Sequence, residues 1–257
     1  MKIAVVGGAG FIGSHLVDLL VENHKVFVID NLFLGKKENV NIAAEFFVRD
    51  ASDIIDLRLI FKKIKPDVVF NLAVLPLPHS IQCPYKNVME NTLIVSNLLD
   101  LQHACWFDRL IHFSSSEVYG SAQYTPMCES HPLEAVTPYA ASKAAGDLIC
   151  MSYHRTFHSK VSIIRPFNNY GPRQNMGTYA GLIPITVNRI MNGKAPLISG
   201  DGLQTRDYIY VGDTARAAKM LLERKDLDGE IINVASGRAV SVYEIVRDIR
   251  DLMKDIS

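Results

Sequence analysis

The sequence predicts an α/β protein with a doubly wound parallel sheet and a smaller C-terminal α/β lobe. Apolar runs typical of strands alternate with helical patterns, and a glycine-rich turn joins the first strand to the first helix. The regular alternation breaks after Pro166. Strands that are nearly continuous in Val, Ile and Phe, with helices between them, indicate a parallel sheet that is buried on both faces.

The elements follow in order along the chain. Strands are predicted at 2–6, 25–30, 45–50, 66–73, 109–115 and 160–166. Helices between them are predicted at 11–22, 56–64, 85–104 and 139–157. A polar loop at 167–181 is followed by a helix at 182–193, strands at 196–200 and 204–213, and a further helix. We therefore expect one domain at 1–166 and a smaller substrate lobe at 167–257.

The composition excludes several classes of partner. Lys and Arg together number 27, as do Asp and Glu, so no net charge attracts nucleic acid or anionic lipid. No apolar run approaches the length of a membrane span, and the chain begins directly with a strand pattern. We expect a cytoplasmic protein with neither nucleic-acid nor membrane partners.

No metal site or disulfide framework is expected either. The four cysteines form no CxxC pair and read as reduced thiols: Cys83, Cys105, Cys128 and Cys150. His154 and His158 are four residues apart on a predicted helix, but no third ligand has a fitting spacing.

The stretch "VVGGAGFIGSH" predicts a dinucleotide site. Its glycines lie between a strand and a helix, where a backbone without Cβ atoms lets a pyrophosphate approach the helix N-terminus. Asp30 ends the second strand 17 residues after Gly13 and can accept both ribose hydroxyls. Its carboxylate would repel a 2′-phosphate, which favours NAD over NADP, although Lys36 and Lys37 leave NADP open.

The first domain is therefore predicted to be a Rossmann-type NAD-binding domain. Asp50, at the end of the third strand, is a candidate partner for the adenine amino group or a simple strand-end cap. The residues expected to contact the cofactor in these segments are Gly7, Gly10, Phe11, Ile12, Gly13, Asp30, Asn31 and Asp50.

The stretch "PYAASKAAG" holds a candidate reactive pair. Tyr139 and Lys143 are one helical turn apart and share a helix face. A neighbouring ammonium and a positive nicotinamide ring would favour the phenolate and make the tyrosine a usable base. Taken alone, the motif favours a Tyr–Lys pair on the surface. Ser115, at the end of the preceding strand, favours the catalytic interpretation.

These motifs together resemble the extended short-chain dehydrogenase/reductase family, specifically its nucleotide-sugar epimerases and dehydratases. The resemblance spans essentially the whole chain through "GGAGFIG", "IDN", "NLAV", "SSSEVYG", "PYAASK", "RPFNNYGPRQ" and "GDGLQTRDYIYVGD". It implies that further residues line the cofactor: Leu72, Ala73, Val74 and Asn91. It also implies a nucleotide-diphosphate-sugar site that includes Ser116, Asn168, Arg173, Leu197, Ser199 and Arg206. Arg206 could instead pair with Asp207.

The resemblance further implies the roles of the reactive residues. Tyr139 would take the proton from the hydroxyl on sugar carbon 4 while hydride passes to NAD. Ser115 would hydrogen-bond the same oxygen, and Lys143 would orient the cofactor ribose. The relatives also suggest a homodimer through helices 85–104 and 139–157, whose apolar faces could otherwise be covered by a neighbouring loop.

Glu117, in "HFSSSEVYG", selects among the reactions of this family. A 4-epimerase needs no second base, whereas dehydratases carry a glutamate here that removes the carbon 5 proton. Glucuronate decarboxylases share the pattern, but they place an arginine in the loop that corresponds to 174–184, which has none. Ser116 stands where the dehydratases of thymidine-linked glucose carry an aspartate.

We therefore predict a nucleotide-sugar 4,6-dehydratase. A 4-epimerase, a UDP-glucuronate decarboxylase and a non-catalytic nucleotide sensor on the same fold remain alternatives. The chain ends at Ser257, short of the family's usual length, so we expect that a tail with a further diphosphate-binding arginine is missing from it.

Overall fold

The computed structural model describes residues 1–198 and 200–254. The strands are β1 (Lys2–Val6), β2 (Lys25–Asp30), β3 (Glu45–Val48), β4 (Val68–Asn71), β5 (Arg109–Phe113), β6 (Lys160–Pro166), β7 (Asn168–Tyr170), β8 (Thr205–Tyr210), β9 (Ile231–Val234) and β10 (Ala239–Ser241). The helices are α1 (Phe11–Leu20), α2 (Ile54–Ile64), α3 (Leu77–Gln82), α4 (Pro84–His103), α5 (Pro138–Phe157), α6 (Leu182–Met191), α7 (Val211–Glu223) and α8 (Val242–Lys254). The predicted α/β fold is confirmed, with element ends that differ by a few residues.

The larger sheet has seven parallel strands in the order β3-β2-β1-β4-β5-β6-β9. The chain runs outward from β1 to β3 and then crosses back to place β4 on the other side of β1. The strand order therefore reverses between β1 and β4. A crevice forms at the carboxyl ends of the strands at such a reversal, and ligands of doubly wound sheets bind there.

The strands feed two apolar layers because successive side chains point to opposite faces of the sheet. Ile3 and Val5 pack on the face covered by α1 and α7. Ala4 and Val6 pack on the other face, under α2, α4 and α5. Burial on both faces explains why these strands read as continuous apolar runs in the sequence.

The smaller lobe contains a second sheet of three strands in the order β10-β8-β7. Strands β7 and β8 are parallel, and β8 and β10 are antiparallel. The division at residue 166 does not separate two contiguous halves, because β9 extends the large sheet beside β6 and α7 packs against α1. The smaller lobe is therefore formed by β7, β8, β10, α6 and α8.

The strand predicted at 196–200 is wrong for its described residues. Residues 194–198 are irregular. Pro196 has no backbone N–H to donate to a ladder, and Gly200 and Gly202 adopt left-handed conformations with φ of 73°. The segment is a connection that leads into β8.

Among the described helices, none is both long enough and apolar enough to cross a membrane.

Candidate active site

A cavity of about 380 Å³ lies at the carboxyl ends of the strands, where the strand order reverses. The structure brings most of the predicted cofactor and catalytic residues to its wall, together with Arg173 of the predicted substrate site. The cofactor and catalytic residues are Gly7, Gly10, Phe11, Ile12, Gly13, Asp30, Asn31, Asp50, Leu72, Ala73, Val74, Ser115, Tyr139 and Lys143. Segments that are far apart in sequence therefore form one site.

The glycine-rich turn has the shape that a pyrophosphate needs. Gly7 has φ of 82°, and a Cβ there would lie 2.5 Å from the Ala73 backbone nitrogen. A Cβ on Gly13 would overlap the Gly7 carbonyl oxygen. Helix α1 follows Gly10 with no side-chain cap and no acid in its first turn. Its N–H groups and the positive end of its dipole therefore remain available for an anion, which fits a dinucleotide.

Asp30 lies at the wall where the adenosine ribose of a dinucleotide would bind. Its carboxylate accepts hydrogen bonds from the backbone N–H groups of Ala9 at 3.0 Å and Leu32 at 2.8 Å. Burial raises the pKa of Asp30, and these two hydrogen bonds oppose that rise. Each carboxylate oxygen keeps a second lone pair, so the group is oriented by the backbone and can still accept from a sugar hydroxyl.

The Asp50 side chain lines the cavity and also accepts hydrogen bonds from neighbouring loop residues. It accepts hydrogen bonds from the Asn31 amide at 3.0 Å and from the backbone N–H of Ser52 at 2.8 Å. Although burial acts to raise the pKa of Asp50, the hydrogen bonds from Asn31 and Ser52 hold it below its usual value. The strand-end cap and the cavity-lining position are therefore compatible.

The prediction that Asn91 lines the cofactor needs correction, because Asn91 is not among the residues that line the cavity. Its carbonyl oxygen accepts from the Leu75 backbone N–H at 2.7 Å, and its amide nitrogen donates to the Ser142 hydroxyl at 3.0 Å. The side chain is buried and engaged with protein groups on both sides. It supports the loop at 72–75 from behind and ties it to α5.

Tyr139 and Lys143 project from the first two turns of α5. The helix begins with Pro138 after Thr137, whose hydroxyl accepts from the Ala140 N–H at 3.1 Å. Lys143 is buried, and its ammonium donates to the Phe113 carbonyl at 2.7 Å. Burial lowers the pKa of Lys143 to about 8, against the opposing charge of Asp147.

The ionisation of Tyr139 differs from the sequence expectation. Its ring reaches the cavity wall, yet the surrounding protein desolvates the phenol and raises its pKa to about 12. A hydrogen bond with Ser115 acts to lower the pKa, and the charge of Glu117 acts to raise it. The pKa of Lys143 is about 8, so the lysine is already neutral at the pH where Tyr139 would ionise and does not lower the tyrosine pKa. The protein alone therefore keeps Tyr139 protonated near neutrality.

Glu117 lies in a 3-10 turn, Ser116–Tyr119, that directly follows Ser115. The Ser115 hydroxyl accepts from the Glu117 N–H at 3.2 Å and so fixes the start of the turn. Ser116 and Glu117 are both half-buried. The Glu117 carboxylate makes no hydrogen bond or ion pair with any residue that the structure describes, and it lies close enough to affect Tyr139. Glu117 therefore lies beside the reactive pair, but neither it nor Ser116 is among the residues that line the two cavities.

A second cavity of about 320 Å³ lies in the smaller lobe. It brings together three of the predicted substrate residues, Asn168, Leu197 and Arg206. The alternative pairing of Arg206 with Asp207 is not formed, since the Asp207 carboxylate binds the backbone N–H groups of Ser236 and Gly237. Ser199 lies outside the described residues.

Arg173 lines the first cavity, not the second. One nitrogen of its guanidinium forms an ion pair with Asp18 of α1 at 2.7 Å. His15 contacts the carbonyl of Pro172 at 3.0 Å. The segment 171–181, which we call the strap, is therefore fastened to the outer side of α1 and crosses the edge of the cofactor cavity.

Sequence reasoning missed an aromatic cluster at the end of the strap. Tyr179 stacks on Phe33 with ring centroids 6.0 Å apart, and His79 packs edge-on against Phe33 at 5.7 Å. Phe33 and Tyr179 line the cofactor cavity. Aromatic residues within the glycine-containing loops "NLFLG" and "GTYAG" were the available signal.

A family model described as the NAD-dependent epimerase/dehydratase family matches residues 3–235. The chain belongs to this family. A Methanocaldococcus jannaschii protein assigned as a UDP-glucose 4-epimerase is 38% identical over 246 residues, covering 95% of this chain and 79% of the relative. The family is NAD-dependent, in agreement with the shape of the glycine turn and the position of Asp30.

Two solved structures show the same fold. UDP-glucose 4-epimerase from Thermotoga maritima, crystallised with UDP-glucose, has a TM-score of 0.94 and 32% identity over 98% of this chain and 82% of that chain. A dTDP-glucose 4,6-dehydratase from Streptomyces venezuelae with NAD bound has a TM-score of 0.91 and 31% identity over 99% of this chain and 81% of that chain. The chain is therefore an NAD-dependent nucleotide-sugar epimerase or dehydratase.

Proposed function

We propose that the protein is a nucleotide-sugar 4,6-dehydratase. One observation carries this choice within the family: Glu117 has an unpaired, half-buried carboxylate next to Ser115 and Tyr139. A 4-epimerase has no use for a second base at this point. A carboxylate without a protein partner, partly removed from water, is a suitable group for proton abstraction from carbon.

The two cavities fit the two ends of a nucleotide sugar. Arg206 offers a planar donor fork to a diphosphate in the smaller lobe, and Asn168 a neutral donor beside it. The sugar would then extend toward Tyr139, Ser115 and the nicotinamide end of the first cavity. NAD, when bound, supplies the acceptor and later the donor of one hydride.

The residues of the chain would divide the proton transfers between them. Tyr139 takes the proton of the carbon 4 hydroxyl as that carbon is oxidised, while Ser115 hydrogen-bonds the same oxygen. The resulting ketone acidifies carbon 5, from which Glu117 removes a proton as hydroxide leaves carbon 6. The hydroxide leaves as water with one of the two protons released, hydride returns to carbon 6 and the other proton is delivered to carbon 5, which leaves a 4-keto-6-deoxy sugar.

A 4-epimerase is the second candidate, and the order of the relatives favours it. The Methanocaldococcus jannaschii and Thermotoga maritima proteins, both 4-epimerases by name, are among the most similar to this chain. In an epimerase the same Tyr139 and Ser115 would act at carbon 4, and hydride would return to the opposite face of that carbon. Glu117 would then be a bystander.

Mass analysis of the products separates these reactions. The full chain is incubated with NAD and a panel of UDP-, dTDP-, GDP- and CDP-sugars. Loss of one water supports the dehydratase. An isomer of unchanged mass supports the epimerase and overturns our proposal, as does loss of carbon dioxide from a glucuronate. Failure to convert any sugar would also count against it.

The variant Glu117→Gln tests the residue itself. We expect product formation to fall about 100-fold or more, while reduction of NAD by the sugar continues. Glu134→Gln, an exposed glutamate in the following loop, is the control and should retain the normal rate. A normal rate of water loss in Glu117→Gln would show that another group is the base.

A further inference from the structure

A chain of buried charges lies behind the reactive pair and outside both cavities. Asp147 follows Lys143 by four residues on α5, so the two side chains share a helix face. Arg165, in β6, donates from Nε to the Asp147 carboxylate at 2.9 Å, and each side chain is 2% exposed. Neither residue lines a cavity. The chemistry at carbon 4 does not use them directly.

Burying these charges raises the free energy of the folded state unless each is stabilised by an opposite charge or a hydrogen bond. Removal of two ions from water opposes folding, and a buried pair contributes little net stability for that reason. Asp147 has cations on two sides, the guanidinium of Arg165 and the ammonium of Lys143. Burial raises the pKa of Asp147, and the charges of Arg165 and Lys143 both oppose that rise, so the carboxylate and the ammonium favour each other's charged form.

We propose that Asp147 is a positioning residue for the oxidation step, which keeps the Lys143 ammonium charged from inside the protein core. As an ammonium, Lys143 donates one N–H to the Phe113 carbonyl, keeps two more for a cofactor ribose and places a positive charge beside both. The proposal concerns oxidation at carbon 4, so it rests on the NAD-dependent chemistry of the family and not on the choice of dehydratase.

The surroundings of Lys143 explain why such an anion is needed. Burial lowers the pKa of Lys143 to about 8, and the charge of Asp147 is the largest influence that opposes this. The titratable or charged groups that face the lysine and its partner are Tyr139, Asp147 and Cys150 on α5, His112 on β5 and Arg165 on β6. His112 is buried, and burial together with the lysine charge holds its pKa well below the usual value. Its imidazole is therefore neutral and adds no charge beside Lys143.

Arg165 extends the same network to the turn that carries Ser115 and Glu117. It donates from Nη1 to the Tyr119 hydroxyl at 2.8 Å, and its guanidinium lies 4.9 Å from the centre of the Tyr119 ring. Tyr119 ends the 3-10 turn that follows Ser115. The same arginine therefore holds the catalytic helix and the catalytic turn in one arrangement.

The test is the ionisation of Lys143 in the full chain with NAD bound, which requires no substrate. Lysine side chains are labelled with ¹³C, the Lys143 signal is assigned with Lys143→Met, and its pKa is read by NMR. In Asp147→Asn we expect that pKa to fall by about one unit or more, because an opposing charge within one turn is lost. Asp147→Glu should restore most of it. Asp108→Asn, which removes an exposed carboxylate that pairs with Lys160, should leave it unchanged.

Activity supplies a second readout once a sugar that is turned over has been found. The alkaline limit of the rate of sugar oxidation should move to lower pH in Asp147→Asn by the same amount as the Lys143 titration. A purely structural role for Asp147 would lower the rate at every pH without moving the limit. An unchanged Lys143 pKa in folded Asp147→Asn would overturn the proposal.

The wild-type chain provides a measurement that does not depend on the variant folding. The ¹³C carboxylate signal of Asp147 should show an inflection at the pH where Lys143 loses its proton, because the two charges are adjacent. Absence of that inflection would overturn the proposal equally. Loss of activity in Glu117→Gln, or an isomer as the product, would leave both titrations unaffected.

Discussion

Tyr179 stacks on Phe33 with ring centroids 6.0 Å apart and planes inclined by 30°, and so joins the strap to the loop after β2. Both side chains line the cofactor cavity. The strap must therefore separate from this loop before a dinucleotide can leave by that edge. We therefore expect the stacked pair to slow the release of NAD by that edge.

Tyr179→Ala should weaken NAD retention. An aromatic pair of this geometry contributes about 0.5–1.5 kcal/mol beyond the area it buries, so we expect NAD to dissociate up to about tenfold faster. Stopped-flow displacement of NAD measures the rate. Tyr179→Phe should behave as the wild type, and Tyr243→Ala, an exposed tyrosine on α8, is the control. An unchanged dissociation rate in Tyr179→Ala would mean that NAD leaves by another edge.

The ion pair between Arg173 and Asp18 predicts a coupled effect. Each side chain is about one-third exposed, and their charged atoms lie 2.7 Å apart. Arg173→Met and Asp18→Asn should each speed NAD release, and the double variant should add little to either, because all three lack the same fastening. Stopped-flow rates for the four proteins form the cycle. If Arg173 instead binds the sugar diphosphate, Arg173→Met alone will raise the KM for the nucleotide sugar.

Most of the larger sheet could be predicted because its signals are local. Continuous apolar runs and the glycine spacing depend on neighbours within one element, so six strands of that sheet and the NAD turn could be predicted, whereas the relation of Tyr139 to Ser115 came from the family resemblance. Strand β9 was missed as part of the large sheet because "IINV" is short and lies far from β6 in sequence. Strand β9 pairs with β6 at the edge of the sheet, and the sequence of β9 alone does not indicate which strand it pairs with.

The side-chain partners were the part that sequence could not supply. Asn91 satisfies Leu75 and Ser142, and Arg173 pairs with an aspartate on α1. In both cases the residue type fits a ligand-binding role, and the partner lies on a different element. The sequence also could not indicate how strongly burial acts on the pKa values of Tyr139 and Lys143, because burial depends on the elements packed around both side chains.

The exposed apolar face of α4 and α5 predicts a dimer, which we propose by analogy with the family's nucleotide-sugar enzymes. Tyr85, Met89 and Leu93 repeat at four-residue spacing on α4 and are 44–79% exposed, and Leu148 on the adjacent α5 is 62% exposed. Leu148→Glu would place two like charges in a symmetric contact and should give a monomer.

Light scattering coupled to size exclusion gives the mass of each protein. Ile55→Glu is the matched control, because Ile55 is an exposed apolar residue of similar accessibility on α2, away from this face. It should leave the dimer intact. A monomeric wild type, or a dimer that survives Leu148→Glu, would mean that α4 and α5 do not form the interface.

Burial of the Lys143 ammonium should also lower the free energy of unfolding at neutral pH. The pKa of Lys143 is about 8 in the folded chain and 10.5 for an ordinary lysine, so below pH 8 the folded state holds a proton in an unfavourable setting. That difference corresponds to about 3 kcal/mol. As the pH rises from 8 toward 10.5, the unfolded chain holds more protons than the folded one, and this destabilisation disappears.

Lys143→Met should therefore unfold at higher urea concentration than the wild type at pH 7. The gain should be about 2 kcal/mol, since the variant also loses the hydrogen bond to the Phe113 carbonyl, and it should shrink toward zero above pH 8. Lys63→Met, at an exposed lysine, should show no such pH dependence. Equal stability of Lys143→Met and wild type at pH 7 would mean that the network around Asp147 already offsets the burial of the ammonium in full. A gain in stability that is confined to pH values below about 8 would show that the buried ammonium destabilises the folded state. The protein would then retain this destabilisation because Lys143 acts in the oxidation step.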